Sequence, residues 1–264
     1  MKKLLMLSVA LCGASAIYAA DVTNPFYVPA EGKFLSDTSA TYQNNYHGWM
    51  ETVLGTETIS YGVAKGASFS VKVADTWFLD PKGFSSHEKY DNPGFGISAK
   101  YNVVDDATKV QVEAGYEQGF FNGLDNDFTP SFAWTGRHHA KNIYGTVKAG
   151  YDMGNGFLPY ASLTVNKVIG KYNQDPVYTG RVALAKVFNQ QFTGDAGLAL
   201  VYDRNKLLGT EKRSKAYVAD ASVNYLFNES TSVGLKAEYV INQTPRWMLG
   251  ADCYTIGVNF KIAF

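Results

Sequence analysis

The residues in this chain best equipped for chemistry are four histidines, His47, His87, His138 and His139, and the acids near them. One arrangement that would make a strand catalytic is a Ser two positions from a His that activates it, with an Asn to orient the imidazole. None of the four histidines has a Ser two positions later. Asp80, His87 and Asp91 bring the acid and imidazole types of a protease into one connection, without a register that would join them. His138-His139 is the only adjacent imidazole pair, and no further ligand follows at a metal-binding spacing. The segment Asn122-Gly123-Leu124-Asp125-Asn126-Asp127 opens like a calcium loop but lacks the Glu that closes an EF-hand. The expectation is a protein with no catalytic centre, no cofactor and no metal site.

A second group of charges follows a different rule. Lys72, Lys100, Lys109, Glu113, Glu117, Lys148, Arg181, Asp195, Asp220, Lys236 and Glu238, with Lys261 and Asp203, fall at alternate positions of apolar runs. Cations and carboxylates are nearly balanced. Such a set either lines a watery passage, hydrating and sorting what crosses it, or closes a narrow barrel with salt bridges. Small residues in the same phase (Gly96, Ser98, Gly115, Gly119, Gly150, Gly197, Gly234, Gly257) leave space, which favours the passage.

These charges need strands to hold them. Their neighbours make a second, greasy face: Phe69, Val71, Val73, Trp77; then Phe95, Ile97, Tyr101; then Val110, Val112, Tyr116, Phe120, and so on to the last strand. Strict alternation is the mark of a half-buried strand. In the clearest runs this face carries one formal charge, Asp75. An ion at a bilayer midplane costs up to ~2–4 kcal/mol, so Asp75 is expected near a boundary.

Twelve strands are expected at 33–43, 49–63, 67–79, 94–104, 109–121, 139–151, 156–170, 176–188, 192–205, 214–227, 231–243 and 248–264. Ten remains the alternative, because Glu57, Pro159 and Lys186 interrupt the pattern in the first two strands and in the seventh and eighth. Short Gly, Asn, Asp and Ser turns alternate with longer connections. Among the latter, 80–93 and 122–138 are the longest, and Phe128 to Trp134 with Pro130 either folds into the passage or packs on its rim.

Lys2 and Lys3, an apolar run from Leu4 and Ala19-Ala20 make residues 1–20 a secretory signal peptide, cut after Ala19 or Ala20. Leu11 before Cys12 is a poor match to a lipid-attachment site. Without Cys12, Cys253 is alone, so no internal disulfide is expected. The 24 basic and 24 acidic residues give no positive excess, and a nucleic-acid partner is not expected. Residues 21–32, with two prolines, form a leader that lies in the periplasm or tucks into the lumen. Residues 33–264 form one domain.

The last strand alternates Tyr254, Ile256, Val258, Phe260, Ile262 and Phe264, ending on its aromatic residue. This resembles the closing strand of Gram-negative outer-membrane β-barrels, the porin-like family. The resemblance implies a single all-β domain, a transmembrane antiparallel up-and-down β-barrel in the outer membrane with both termini periplasmic. It implies contact with outer-membrane lipids, and makes these six residues a signal for the barrel-assembly machinery. The implied function is a passive, weakly selective channel for small polar solutes. A closed barrel acting as a structural or adhesive protein through its loops is the alternative. A hydrolase of the outer-membrane lipase or protease type is the second alternative, which the histidine spacing does not support.

Overall fold

The computed structural model describes residues 21–45, 50–79, 91–119, 141–154, 156–169, 175–203, 214–244 and 254–264. The signal peptide, all four histidines, Cys253 and the segments 122–127 and 128–134 lie outside the described residues.

Twelve antiparallel strands close on themselves, each pairing with its sequence neighbours and β1 with β12. They are β1 (Phe34–Asn45), β2 (Met50–Ala64), β3 (Ala67–Phe78), β4 (Asp91–Asp105), β5 (Thr108–Gly119) and β6 (Lys141–Tyr151). The circuit continues with β7 (Phe157–Ile169), β8 (Val177–Val187), β9 (Phe192–Asp203), β10 (Ser214–Asn228), β11 (Thr231–Thr244) and β12 (Tyr254–Ala263). All twelve expected strands are present and the ten-strand alternative is excluded. Closure removes the unpaired edges that an open sheet would expose.

The seam between β1 and β12 runs from Leu35 opposite Ala263 to Asn44 opposite Tyr254. It is locked at its end by reciprocal backbone bonds between Phe34 and Phe264, of 2.8 and 2.9 Å. At one end of the barrel the strands are joined by short turns. Lys65 and Gly66 connect β2 to β3, with Gly66 at φ 72°, the left-handed region that a tight hairpin demands. Pro159, which interrupts the pattern of β7, pairs with Leu184 of β8, while the ladder with β6 reaches only Tyr160. The prolyl nitrogen therefore breaks no run of bonds.

Alternation sorts the side chains into two faces. Val71, Val73, Ile97, Val147, Leu198, Leu235, Ile256 and Val258 point outward and are between 37% and 56% exposed. Aromatic rows bound this apolar band. Phe34, Tyr61, Phe69, Tyr101, Tyr151, Phe192 and Phe227 mark the short-turn end, and Tyr42, Trp77, Tyr202, Tyr217, Tyr239 and Tyr254 the other. Phe34 to Tyr42 is eight residues of β1, about 26 Å along the strand. Tilted as barrel strands are, that matches the ~25 Å apolar belt of a membrane barrel. Among the described residues no helix is long and apolar enough to cross a membrane; this barrel would cross with strands. Asp75 lies in the outward phase two residues before Trp77, beside the aromatic row, as its charge requires.

Candidate functional site

The inward face carries most of the charged strand residues, with Asp75 and Glu57 on the outer face, and the arrangement of the inward ones follows from where the glycines fall. Lys72 on β3 and Glu117 on β5 are separated by β4, whose residue at that level is Gly96. With no side chain between them, Lys72 Nζ reaches Glu117 Oε1 at 3.0 Å. A Cβ on Gly96 would lie 3.1 Å from Glu117 Cγ. The ring of Tyr144 lies over Gly115, and its hydroxyl donates to Glu113 Oε1 at 3.0 Å. Glu113 also faces Lys100, at 3.6 Å.

The densest group spans β7 to β11. Arg181 on β8 crosses Gly197 of β9 and donates from Nε to Asp220 Oδ2 on β10 at 2.9 Å. Its Nη2 also meets both Asp195 and Asp220. Tyr160 donates its hydroxyl to Asp195 Oδ2 at 2.7 Å and is itself met by Arg181. Asp220 stands directly opposite Glu238 of β11. Two like charges so placed repel, and each has a cation: Arg181 for Asp220 and Lys236 for Glu238. Lys109 pairs with Asp105 at 2.9 Å, and Lys261 with Asp37 at 3.7 Å.

Lys148 is held differently. Its Nζ donates to the Pro25 carbonyl at 2.6 Å and stands over the rings of Phe26 and Tyr160. The leader thus reaches into the barrel through Val22 and Phe26, while Ala30 to Gly32 stay exposed. It crosses the short-turn mouth from the Glu229 carbonyl, which accepts from Val22 N–H, to Gly62 of β2, bridged to Glu31. Val22 and Phe26 are buried, at 1% and 3% exposed. The Phe26 carbonyl accepts from Asn102 and Gln111, and its ring packs against Gly150. Burial raises the Tyr27 hydroxyl above its usual pKa, so this residue stays neutral at any physiological pH.

Above this crossing the lumen holds a cavity of about 460 Å³. Its wall combines the Arg181 group with Thr164, Asn166, Thr179 and Ser222, and has an apolar stretch of Ala199, Val201 and Val218. Val201 and Val218 belong to a buried cluster with Ala216 and Val240.

Apart from Asp203, whose side chain lies outside the described residues, the residues expected on the charged face are located, and most are joined in pairs. Of the glycines expected to leave space, Gly96, Gly115 and Gly197 instead seat Glu117, Tyr144 and Arg181 from neighbouring strands. Sequence inspection did not single out Tyr144, Tyr160, Asp37 or Phe26. The tyrosines do occupy the inward phase of their strands, a signal that strand phasing alone could have supplied. Phe26 has no such signal, because nothing local ties the leader to β6. Among the described residues no group of three His, Cys, Asp or Glu could hold a metal.

No family model matches this chain, and no curated protein matches it. Solved structures do. An outer-membrane channel from Pseudomonas putida F1 aligns with a TM-score of 0.64 at 8% identity, over 93% of this chain and all of that one. The NanC porin gives a TM-score of 0.55 at 12% identity, over 86% of this chain and 98% of that one. The β domain of the Bordetella autotransporter BrkA gives 0.51 at 12% identity, over 89% of this chain and all of that one. At such identity the likeness is one of fold. The chain has the twelve-stranded barrel fold of outer-membrane channels and porins, a fold shared with an autotransporter domain.

Proposed function

We propose that this protein is a passive outer-membrane channel for small polar solutes, with both termini and the short turns on the periplasmic side. One observation carries the reading: a closed barrel whose outer band suits hydrocarbon encloses an ion-paired wall around a cavity. Lys72, Lys100, Lys109, Glu113, Glu117, Lys148, Arg181, Asp195, Asp220, Lys236 and Glu238 form the lining. Paired charges hydrate a permeant without trapping it. The channel and porin folds of the two neighbours named first support this reading. No catalytic step is assigned. Lipids cover the outer band, and the β12 face ending in Phe264 is what the barrel-assembly machinery engages.

The test is single-channel recording of the refolded protein in planar bilayers, with swelling of liposomes in small polar solutes as a second readout. Steady current and swelling are expected. Silence in both, from protein with the heat-modifiable mobility of a folded barrel, abandons the channel.

One observation favours a second reading, a closed barrel serving as scaffold or adhesin. Residues 21–32 cross the short-turn mouth, and the cross-strand pairs occupy much of the lumen. That reading predicts silence in both assays.

A further inference from the structure

The cavity above the leader carries a definite chemical signature. Two cations, Arg181 and Lys236, face three carboxylates, Asp195, Asp220 and Glu238, so the wall holds one net negative charge. Both cations already have partners among those acids. An anion entering the cavity would meet a negative wall, and would reach Arg181 only by displacing a carboxylate that already hydrogen-bonds it. Breaking a part-buried, charge-assisted bond of this type is costly. A cation would meet Arg181 and Lys236, and carboxylates whose oxygens are largely committed. An uncharged solute suffers neither penalty.

The rest of the wall says what kind of uncharged solute fits. Thr164, Asn166, Thr179 and Ser222 offer hydroxyl and amide groups that both donate and accept. Ala199, with Val201 and Val218 of the buried cluster behind it, makes one side of the wall apolar. The volume, about 460 Å³, lies within the ~300–1,000 Å³ of small-molecule sites. A ring bearing hydroxyls on its rim and C–H groups on its face matches that division.

We propose that this cavity binds a neutral sugar of one or two rings, and discriminates against sugar acids of the same size. The inference rests on the channel reading for how the solute arrives, while binding itself is measured separately.

The experiment compares maltose with lactobionate, a disaccharide-sized acid, as blockers of ionic current through the full barrel. Maltose is expected to half-block at a concentration at least about tenfold lower. Equal block, or stronger block by lactobionate, overturns the proposal. Asp220→Asn removes the net negative charge and loosens Arg181, and is expected to narrow the gap between the two sugars at least about threefold. An unchanged gap counts against the proposal. Val218→Asp places a charge on the apolar stretch and is expected to abolish maltose block. Val201→Ser, which makes the same stretch polar without a charge, is expected to weaken maltose block and stands in should that variant fail to fold.

Calorimetric titration of the folded protein in detergent separates this assignment from the channel itself. Saturable maltose binding without current keeps the site and abandons the channel. Current without maltose binding abandons the site and keeps the channel.

Discussion

The guanidinium of Arg181 lies against the backbone of Gly197, so close that a Cβ there would come within 2.8 Å of it. That absent side chain is what lets an arginine on β8 reach a carboxylate on β10. Gly197→Ala should therefore displace Arg181 while leaving the strand ladder intact, because the clash is with the far end of a flexible side chain. The expected outcome is a folded barrel with altered ion selectivity, read as a shifted reversal potential under a salt gradient. An unchanged potential would detach this group from the ion path.

The leader should control access from the short-turn end. Phe26 is 3% exposed and packs on Tyr160 with ring centroids 5.9 Å apart. Removing a buried phenylalanine costs about 3–5 kcal/mol in packing, ample to undock so short a segment. Phe26→Ser is expected to lengthen open times or enlarge the unit conductance in planar bilayers. Identical traces would show that the segment leaves the ion path clear.

Glu57 presents an unusual case on the outer wall. It sits opposite Thr38 and Val73, in the outward phase, about midway between the Phe34 and Tyr42 rows. Yet it is only 4% exposed and accepts hydrogen bonds from Ser36 Oγ at 2.6 Å and from Thr38. The hydroxyls stand in for water. Stripping them with Ser36→Ala and Thr38→Val should destabilise the barrel by about 1–3 kcal/mol for the carboxylate left without donors. Glu57→Leu should be neutral or stabilising, since a well-packed apolar residue replaces a desolvated polar one. Urea unfolding in lipid vesicles measures both, and the reverse ranking contradicts this account.

Phe264 stacks on Phe34 at 5.7 Å across the closing seam, beside the reciprocal backbone bonds. Phe264→Ser keeps those bonds and removes the ring. If the ring is read by the assembly machinery, folded barrel in the cell membrane falls severalfold, while refolding into detergent changes little. An equal loss in both would assign the ring to stability alone.

Much of the architecture could be read before any coordinates. Alternation has a period of two that survives in any register, so β3 to β6 and β9 to β12 announce themselves, and Asp75 could be placed near a boundary from its charge alone. Glu57 could not be understood that way. It breaks the pattern of β2, and its remedy is Ser36 and Thr38 on β1, some twenty positions away. The lumen glycines misled for a similar reason. A glycine with no side chain suggests room, but the room is claimed by Tyr144, Glu117 or Arg181 from an adjacent strand.

While closure of the ring decided between twelve strands and ten, the order of residues by itself determined that the chain makes strands with one apolar and one charged face and that they favour a barrel set in hydrocarbon. Those properties depend on local periodicity, which the chain carries at every point. Which acid meets which base, where the leader rests and what cavity remains were decided only by tertiary structure. They depend on how neighbouring strands are staggered, and stagger is set by the closure of the whole ring.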